Sequence, residues 1–155
     1  CALGEGVKRF QDTFPLNYIV GMEVVKSAVT KAQIAYPHCH FILGDIMTLP
    51  ETFDVIYTSN CLEHFEQPLK ILKELLNKAN DYVIILVPFQ EYVLDPSHVV
   101  TFDKDSFPSY LYGWEILYYK IIPALDYPQT YWYGLQLLLI YGHTGSKGML
   151  DLKNN

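Results

Sequence analysis

Three short stretches hold the residues whose types and spacing could do chemistry: "CALGEG" at residues 1–6, Glu23 after "YIVGM", and Asp45 after "CHFILG". Gly4 and Gly6, followed by "VKRF", predict a turn that lets the backbone close on a ligand and then starts a helix. The two oxygens of Glu23 suit the two hydroxyls of a ribose, and Asp45 suits the amino group of a base. Together they describe a nucleoside-containing cofactor, although an acid in such a place also caps a following helix. A nicotinamide dinucleotide would use the same turn and the same first acid, but its fingerprint wants a third glycine three residues after the second. Position 9 is Arg, which disfavours that cofactor. "PHCHF" offers His38, Cys39 and His40. Strand alternation separates Cys39 from the two histidines, and no further Cys/His cluster completes a set of four, so no metal is expected.

The elements that must position these residues follow an α/β order. In "EGVKRFQDTF" the apolar residues Val7, Phe10 and Phe14 recur at helical spacing up to Pro15. "YIVGME" is a short strand ending on Glu23; residues 24 to 36 are an amphipathic helix stopped by Pro37; "CHFILGD" is a strand ending on Asp45. "FDVIYTSN" is a third strand, rich in β-branched and aromatic residues. Pro68 suits a first helical turn, and Leu69, Leu72, Leu75, Leu76 and Ala79 carry that helix on. "YVIILVPF" has the unbroken apolar character of a parallel strand covered on both faces. "DKDSF" predicts a helix start capped by Asp103. "WEILYYKIIPALDYPQTYWYGLQLLLIYG" predicts an antiparallel strand pair closing the sheet edge, with a loop around residues 126–130. The fold class expected is α/β: a Rossmann-like, open, mostly parallel sheet with helices on both faces and a C-terminal antiparallel pair. A turn such as "CALGEG" should follow a central strand, and none precedes Cys1. The expectation is a fragment of a longer chain that lacks that strand and leaves two edges unpaired.

Composition narrows the class. The 155 residues suit one domain, expected over residues 1–145 with a flexible tail at 146–155. Half of the residues are hydrophobic and 18% charged, the balance of an ordered globular protein. A net charge of −6 leaves no basic stripe, so nucleic acid is not an expected partner. "LQLLLIY" is too short to cross a bilayer, which sets membranes aside, and Cys1, Cys39 and Cys61 look like reduced thiols of a cytoplasmic protein.

The ordered series "CALGEG", "IVGMEVVKSAVTKA", "FILGDIMTLPETFDVIYTSNCLEHFEQPLKILKELL" and "YVIILVPF" resembles the class I S-adenosylmethionine-dependent methyltransferases. The "LEH" after the third strand and "PSHVVTF" after the next resemble the small-molecule branch of that superfamily. The likeness covers residues 1 to about 107, with only the strand pattern shared beyond. It implies that Cys1, Ala2 and Gly4 surround the methionine part of the cofactor and that Glu23, with Val24 beside it, takes the ribose. It places Asp45 and the Ile46 backbone at the adenine, and Asn60 with Cys61 near the sulfonium. Ala2 stands where most relatives have glycine.

The resemblance implies methyl transfer from S-adenosylmethionine to an oxygen, nitrogen or carbon of a small-molecule acceptor such as a sugar or secondary metabolite. His64 and His98 are the candidate general bases, since an imidazole titrates near neutrality. Each also has a plainer use: Glu63 and His64 to cap a loop and shape the cofactor floor, His98 to pin its own loop. Two other classes stay open, a non-catalytic domain that binds the cofactor or a partner, and a nicotinamide-dependent oxidoreductase. The aromatic residues between Tyr110 and Tyr141 suit strands and a homodimer edge, or a ring-binding pocket.

Overall fold

A computed structural model of the chain describes residues 1–14, 18–127 and 133–144. The chain divides into two compact units, Cys1–Pro50 and the chain from Glu51 onward. Residues 146–155 and most of the loop expected around 126–130 lie outside the described residues.

In the first unit, helix α1 (Glu5–Thr13) is followed by strand β1 (Val20–Glu23), helix α2 (Lys26–Ala35) and strand β2 (His40–Leu43). β1 and β2 pair in parallel, Gly21 opposite Phe41 and Glu23 opposite Leu43. Val7, Val29, Ala32, Cys39 and Phe41 form the core, with Ile19 and Tyr36 packed on it. Gly21 is dictated by that packing: a Cβ there would lie 2.5 Å from Val7 Cγ2 and 2.9 Å from Phe41 Cδ1. α2 keeps its predicted length to within two residues at its start, but only Val29 and Ala32 are buried, and Val25 and Ile34 face solvent. The predicted alternation in "PHCHF" holds, with Cys39 buried and both histidines exposed.

The second unit holds β3 (Phe53–Ser59), α3 (Pro68–Lys78), β4 (Ala79–Phe89), β5 (Tyr110–Leu111), β6 (Trp114–Pro123) and β7 (Leu135–His143). Its sheet runs β3-β4-β7-β6-β5. β3 and β4 are parallel, and β7 is antiparallel to both β4 and β6, so the predicted C-terminal pair is present and joins the sheet through β7. On one face of the sheet Val83, Ile85 and Val87 are fully buried beside Tyr141, Leu139 and Leu137, their partners in register. Leu72, Leu75 and Leu76 of α3 are buried too, and Pro68 starts that helix as the sequence suggests. Tyr141 reaches from the core to donate its hydroxyl to Pro108 O at 2.6 Å, and burial raises its pKa far above the usual phenol value.

Two details depart from the sequence reading. "DKDSF" is a turn rather than a helix start: Asp103 Oδ1 accepts the Asp105 N–H and the Ser106 hydroxyl. Side-chain bonds of that kind compete with a helix, and Phe107, ahead of Pro108, is steered away from helical backbone. The two-residue strand β5 was not expected. It pairs with the start of β6 across a turn at Tyr112 and Gly113, both at positive φ.

The architecture is mixed α/β. Among the described residues β1 pairs only with β2, and β3 only with β4. No helix of the described residues is long and apolar enough to cross a membrane.

Candidate functional site

Each unit carries one cluster built from the residues that the sequence singles out. In the first unit it is the turn at residues 1–4 and the acid at the end of β1. Gly4, at φ 92°, precedes α1, and its N–H donates to Cys1 O at 3.0 Å. A side chain there is excluded twice, by that φ and by Phe41, whose ring would lie 2.7 Å from a Cβ. Ala2 also takes a positive φ of 47°. Gly6 needs neither kind of freedom, since a Cβ there would meet open space. Among the described residues no side-chain hydrogen bond caps the N-terminus of α1, where the first-turn N–H groups lack intrahelical acceptors.

Glu23 fastens this turn. Its Oε2 accepts Ala2 N at 2.9 Å and Cys1 N at 3.2 Å, while Oε1 accepts Val24 N at 2.9 Å and Val25 N at 3.1 Å. Three main-chain N–H groups and the amino group of Cys1 thus fill the four acceptor directions of one carboxylate. Partial burial works against its charge, but the N–H groups of Val25 and Ala2 and the Cys1 nitrogen outweigh it and hold Glu23 below the usual carboxylate pKa. Asp45 lies just past β2, exposed, with Oδ1 accepting Met47 N at 2.9 Å. Ile46 beside it is half-buried and Val24 exposed. Gly44 N donates to Glu23 O at 3.1 Å, which ties together the carboxyl ends of β1 and β2. The first unit therefore gathers Cys1, Ala2, Gly4, Glu23, Val24, Asp45 and Ile46 at one end of its sheet.

The second unit gathers the histidines. Asn60, at φ 46°, closes β3 and donates its N–H to Leu86 O at 2.8 Å. Asparagine tolerates this left-handed backbone better than most residues. Cys61 follows, half-buried, and Leu62–His64 form a single 3-10 turn. The carbonyl of Glu63 accepts Val99 N at 2.9 Å and Val100 N at 3.3 Å, which straps "LEH" to "PSHVVTF". His64 and His98 consequently meet edge to face, ring centres 5.0 Å apart.

The partners of the rings fix their tautomers. His64 Nδ1 lies 2.8 Å from Ser97 O, and a carbonyl only accepts, so Nδ1 carries the proton and Nε2 a lone pair. His98 Nδ1 lies 2.9 Å from each oxygen of Glu91, which leaves Nε2 on the side of Glu63 Oε1, 3.9 Å away. Asp95 shapes the loop between them, accepting both the N–H and the hydroxyl of Ser97.

Glu63 is the residue whose weight the sequence did not reveal. Its side chain is fully buried, and among the described residues neither carboxylate oxygen has a hydrogen-bond partner. His98 Nε2 lies 3.9 Å from Oε1, beyond hydrogen-bonding distance. Burial accordingly pushes its pKa up, against the smaller pull of His64 and His98. Glu91 was missed as well; it lies next to Gln90, which turns the chain at φ 49°, and no periodic pattern marks it.

The sequence profile of the methyltransferase domain family matches residues 1–80, which contain the turn, both acids and "LEH". Comparison with curated proteins gives no match. Among solved structures, the [4+2]-cyclase SpnF superposes with a TM-score of 0.69 at 15% identity, covering 91% of this chain and 71% of that one. Magnesium protoporphyrin IX methyltransferase from Synechocystis PCC 6803, with bound SAM, gives 0.63 at 14% identity over 92% and 66%. The plantazolicin methyltransferase BpumL with SAH gives 0.65 at 16% identity over 92% and 73%. A second superposition, on BpumL with a pentazolic substrate analogue and SAH, gives 0.51 at 23% identity and spans only 57% of this chain and 37% of that one. Likeness at such identities establishes the fold. The profile match over more than half of the residues goes further: the chain belongs to the methyltransferase domain family.

Proposed function

We propose that this chain binds S-adenosylmethionine and supports transfer of its methyl group to an oxygen, nitrogen or carbon of a small-molecule acceptor. The observation that carries the reading is the clasp in which Glu23 holds the turn at residues 1–4 against the end of β1, inside the matched segment. The chemistry of the donors fits the cofactor. The uncapped N–H groups of α1 suit its carboxylate. The exposed Asp45 carboxylate suits an amino group of adenine beside the Ile46 main chain. Glu23 and Val24 are assigned to the ribose; Glu23 must then exchange some of its four donors for hydroxyls. Cys1, Ala2 and Gly4 are assigned to the methionine part, and in the second unit Asn60 and Cys61 to the neighbourhood of the sulfonium.

When bound, the cofactor supplies a methyl on a sulfonium: the S–CH3 bond breaks, the acceptor–CH3 bond forms, and sulfur keeps the electron pair as a neutral thioether. What the chain must add is alignment, which supplies much of the acceleration in such displacements, and an outlet for the acceptor's proton. His64 Nε2 is the proposed base, with His98 Nε2 the second candidate; in each ring Nδ1 is engaged by another partner. The small-molecule acceptor, the cytoplasmic setting suggested by three cysteines outside any disulfide, and a homodimer through the exposed Tyr110, Tyr112 and Tyr119 belong to the same proposal.

A second reading, a domain of this family that does not turn over, is favoured by the saturation of Glu23, because a carboxylate already filled has little left for a ligand. Calorimetric titration with S-adenosylhomocysteine, with NAD as control, separates them. The proposal expects micromolar binding of the first alone, lost on Glu23→Ala. Preference for NAD, or no binding by a folded sample, overturns it.

A further inference from the structure

We propose that Glu63, His64 and His98 form a binding site for one divalent transition-metal ion, with His64 facing solvent as the route in. One ligand atom from each of these three residues lies within 4.8 Å of the other two. Three features argue for a cation rather than for accidental proximity.

The first is Glu63 itself. A fully buried carboxylate with two unpartnered oxygens is costly unless a positive charge completes it. The second is the spacing. His98 Nε2 and Glu63 Oε1 stand 3.9 Å apart, too far to share a proton. Two atoms bound tetrahedrally to one ion through bonds of about 2.0–2.2 Å are separated by about 3.3–3.6 Å, so a cation closes this gap with a shift of less than about 1 Å. The third is the arrangement behind the rings. Imidazoles that ligate metals commonly donate their other N–H to a carboxylate or a carbonyl, which fixes the tautomer and makes the ligating nitrogen more basic. His98 does so to Glu91, whose side chain is itself buried, and His64 to Ser97 O.

Two imidazoles and one carboxylate are the ligand set of an open site, with positions left for water or a substrate oxygen. Proximity to a cation would weaken an acceptor's O–H bond and let its proton leave without a free imidazole. That last step rests on the methyl-transfer reading; the binding of the ion does not. The ligands differ from the "PHCHF" stretch that the sequence first offers for metal.

The test is titration of the chelator-treated full chain with Co2+, read by visible absorption and by NMR of the histidine rings. One equivalent should bind, with large paramagnetic shifts at His64 and His98 and none comparable at His38, His40 or His143. Glu63→Gln should weaken binding at least tenfold. No saturable binding, shifts centred on His38 and His40, or unchanged affinity in Glu63→Gln would each overturn the proposal. Should the variant fail to fold, the spectra of the unaltered chain decide alone. S-adenosylhomocysteine binding, measured separately, keeps the two readings apart: cobalt bound without it removes only the methyl-transfer reading, and the reverse removes only the metal.

Discussion

Glu23 and Glu63 are the same residue placed in opposite circumstances. The Glu23 side chain is partly open to solvent and its carboxylate accepts four nitrogens; the Glu63 side chain is sealed from solvent and its carboxylate accepts none among the described residues. Hydrogen bonds to the charged form pull the first pKa down, and burial, outweighing every pull in the other direction, pushes the second up. The first acid therefore organises the backbone around it. The second is kept by the fold at a cost to stability, and that cost makes it the better pointer to a missing positive partner.

The comparison breaks most visibly at Glu23. Glu23→Ala removes one acceptor group from four donors and should abolish S-adenosylhomocysteine binding, by at least a hundredfold in calorimetry. It should also destabilise the first unit, as loss of protection at the Ala2 and Val25 amides in hydrogen exchange. Gly21→Ala isolates packing from polar effects in the same unit: a methyl 2.5 Å from Val7 Cγ2 should cost about 1–3 kcal/mol in denaturant unfolding. At Glu63 the sign should reverse. In the metal-free chain Glu63→Gln removes a buried ionisable group and is expected to leave stability equal or raise it by about 1 kcal/mol, whereas Glu23→Gln should lower it. A common sign for the two would erase the distinction.

The smallest effect is the pH response. The folded pKa of Glu23 lies below its ordinary value of 4.5, so its contribution is present in full above that value and is lost as pH falls through the folded pKa. The stability difference between the unaltered chain and Glu23→Gln should be flat from neutrality to about pH 5 and shrink below it. A difference that grows on acidification would contradict the clasp.

Periodicity and turn chemistry made most of the elements legible. The glycine turn, the acids at the ends of β1 and β2, Pro68 at the start of α3 and the apolar run of β4 all lie where the sequence places them. The helix expected at Asp103 failed because local side-chain bonds and Pro108 outweigh a capping signal. Both histidines were legible as single residues, but their meeting was not. His64 contacts Ser97 across 33 positions, and the joint is the Glu63 carbonyl, a main-chain group with no signature in residue type. Gly4 illustrates the opposite case, a side chain whose absence is required by both φ and packing and can be read from sequence alone.

The most direct test of the central claim is calorimetric titration of the folded chain with S-adenosylhomocysteine beside NAD. Micromolar binding of S-adenosylhomocysteine alone, abolished by Glu23→Ala, is the result predicted. A folded chain that binds neither ligand, or binds equally well without the Glu23 carboxylate, would contradict the account.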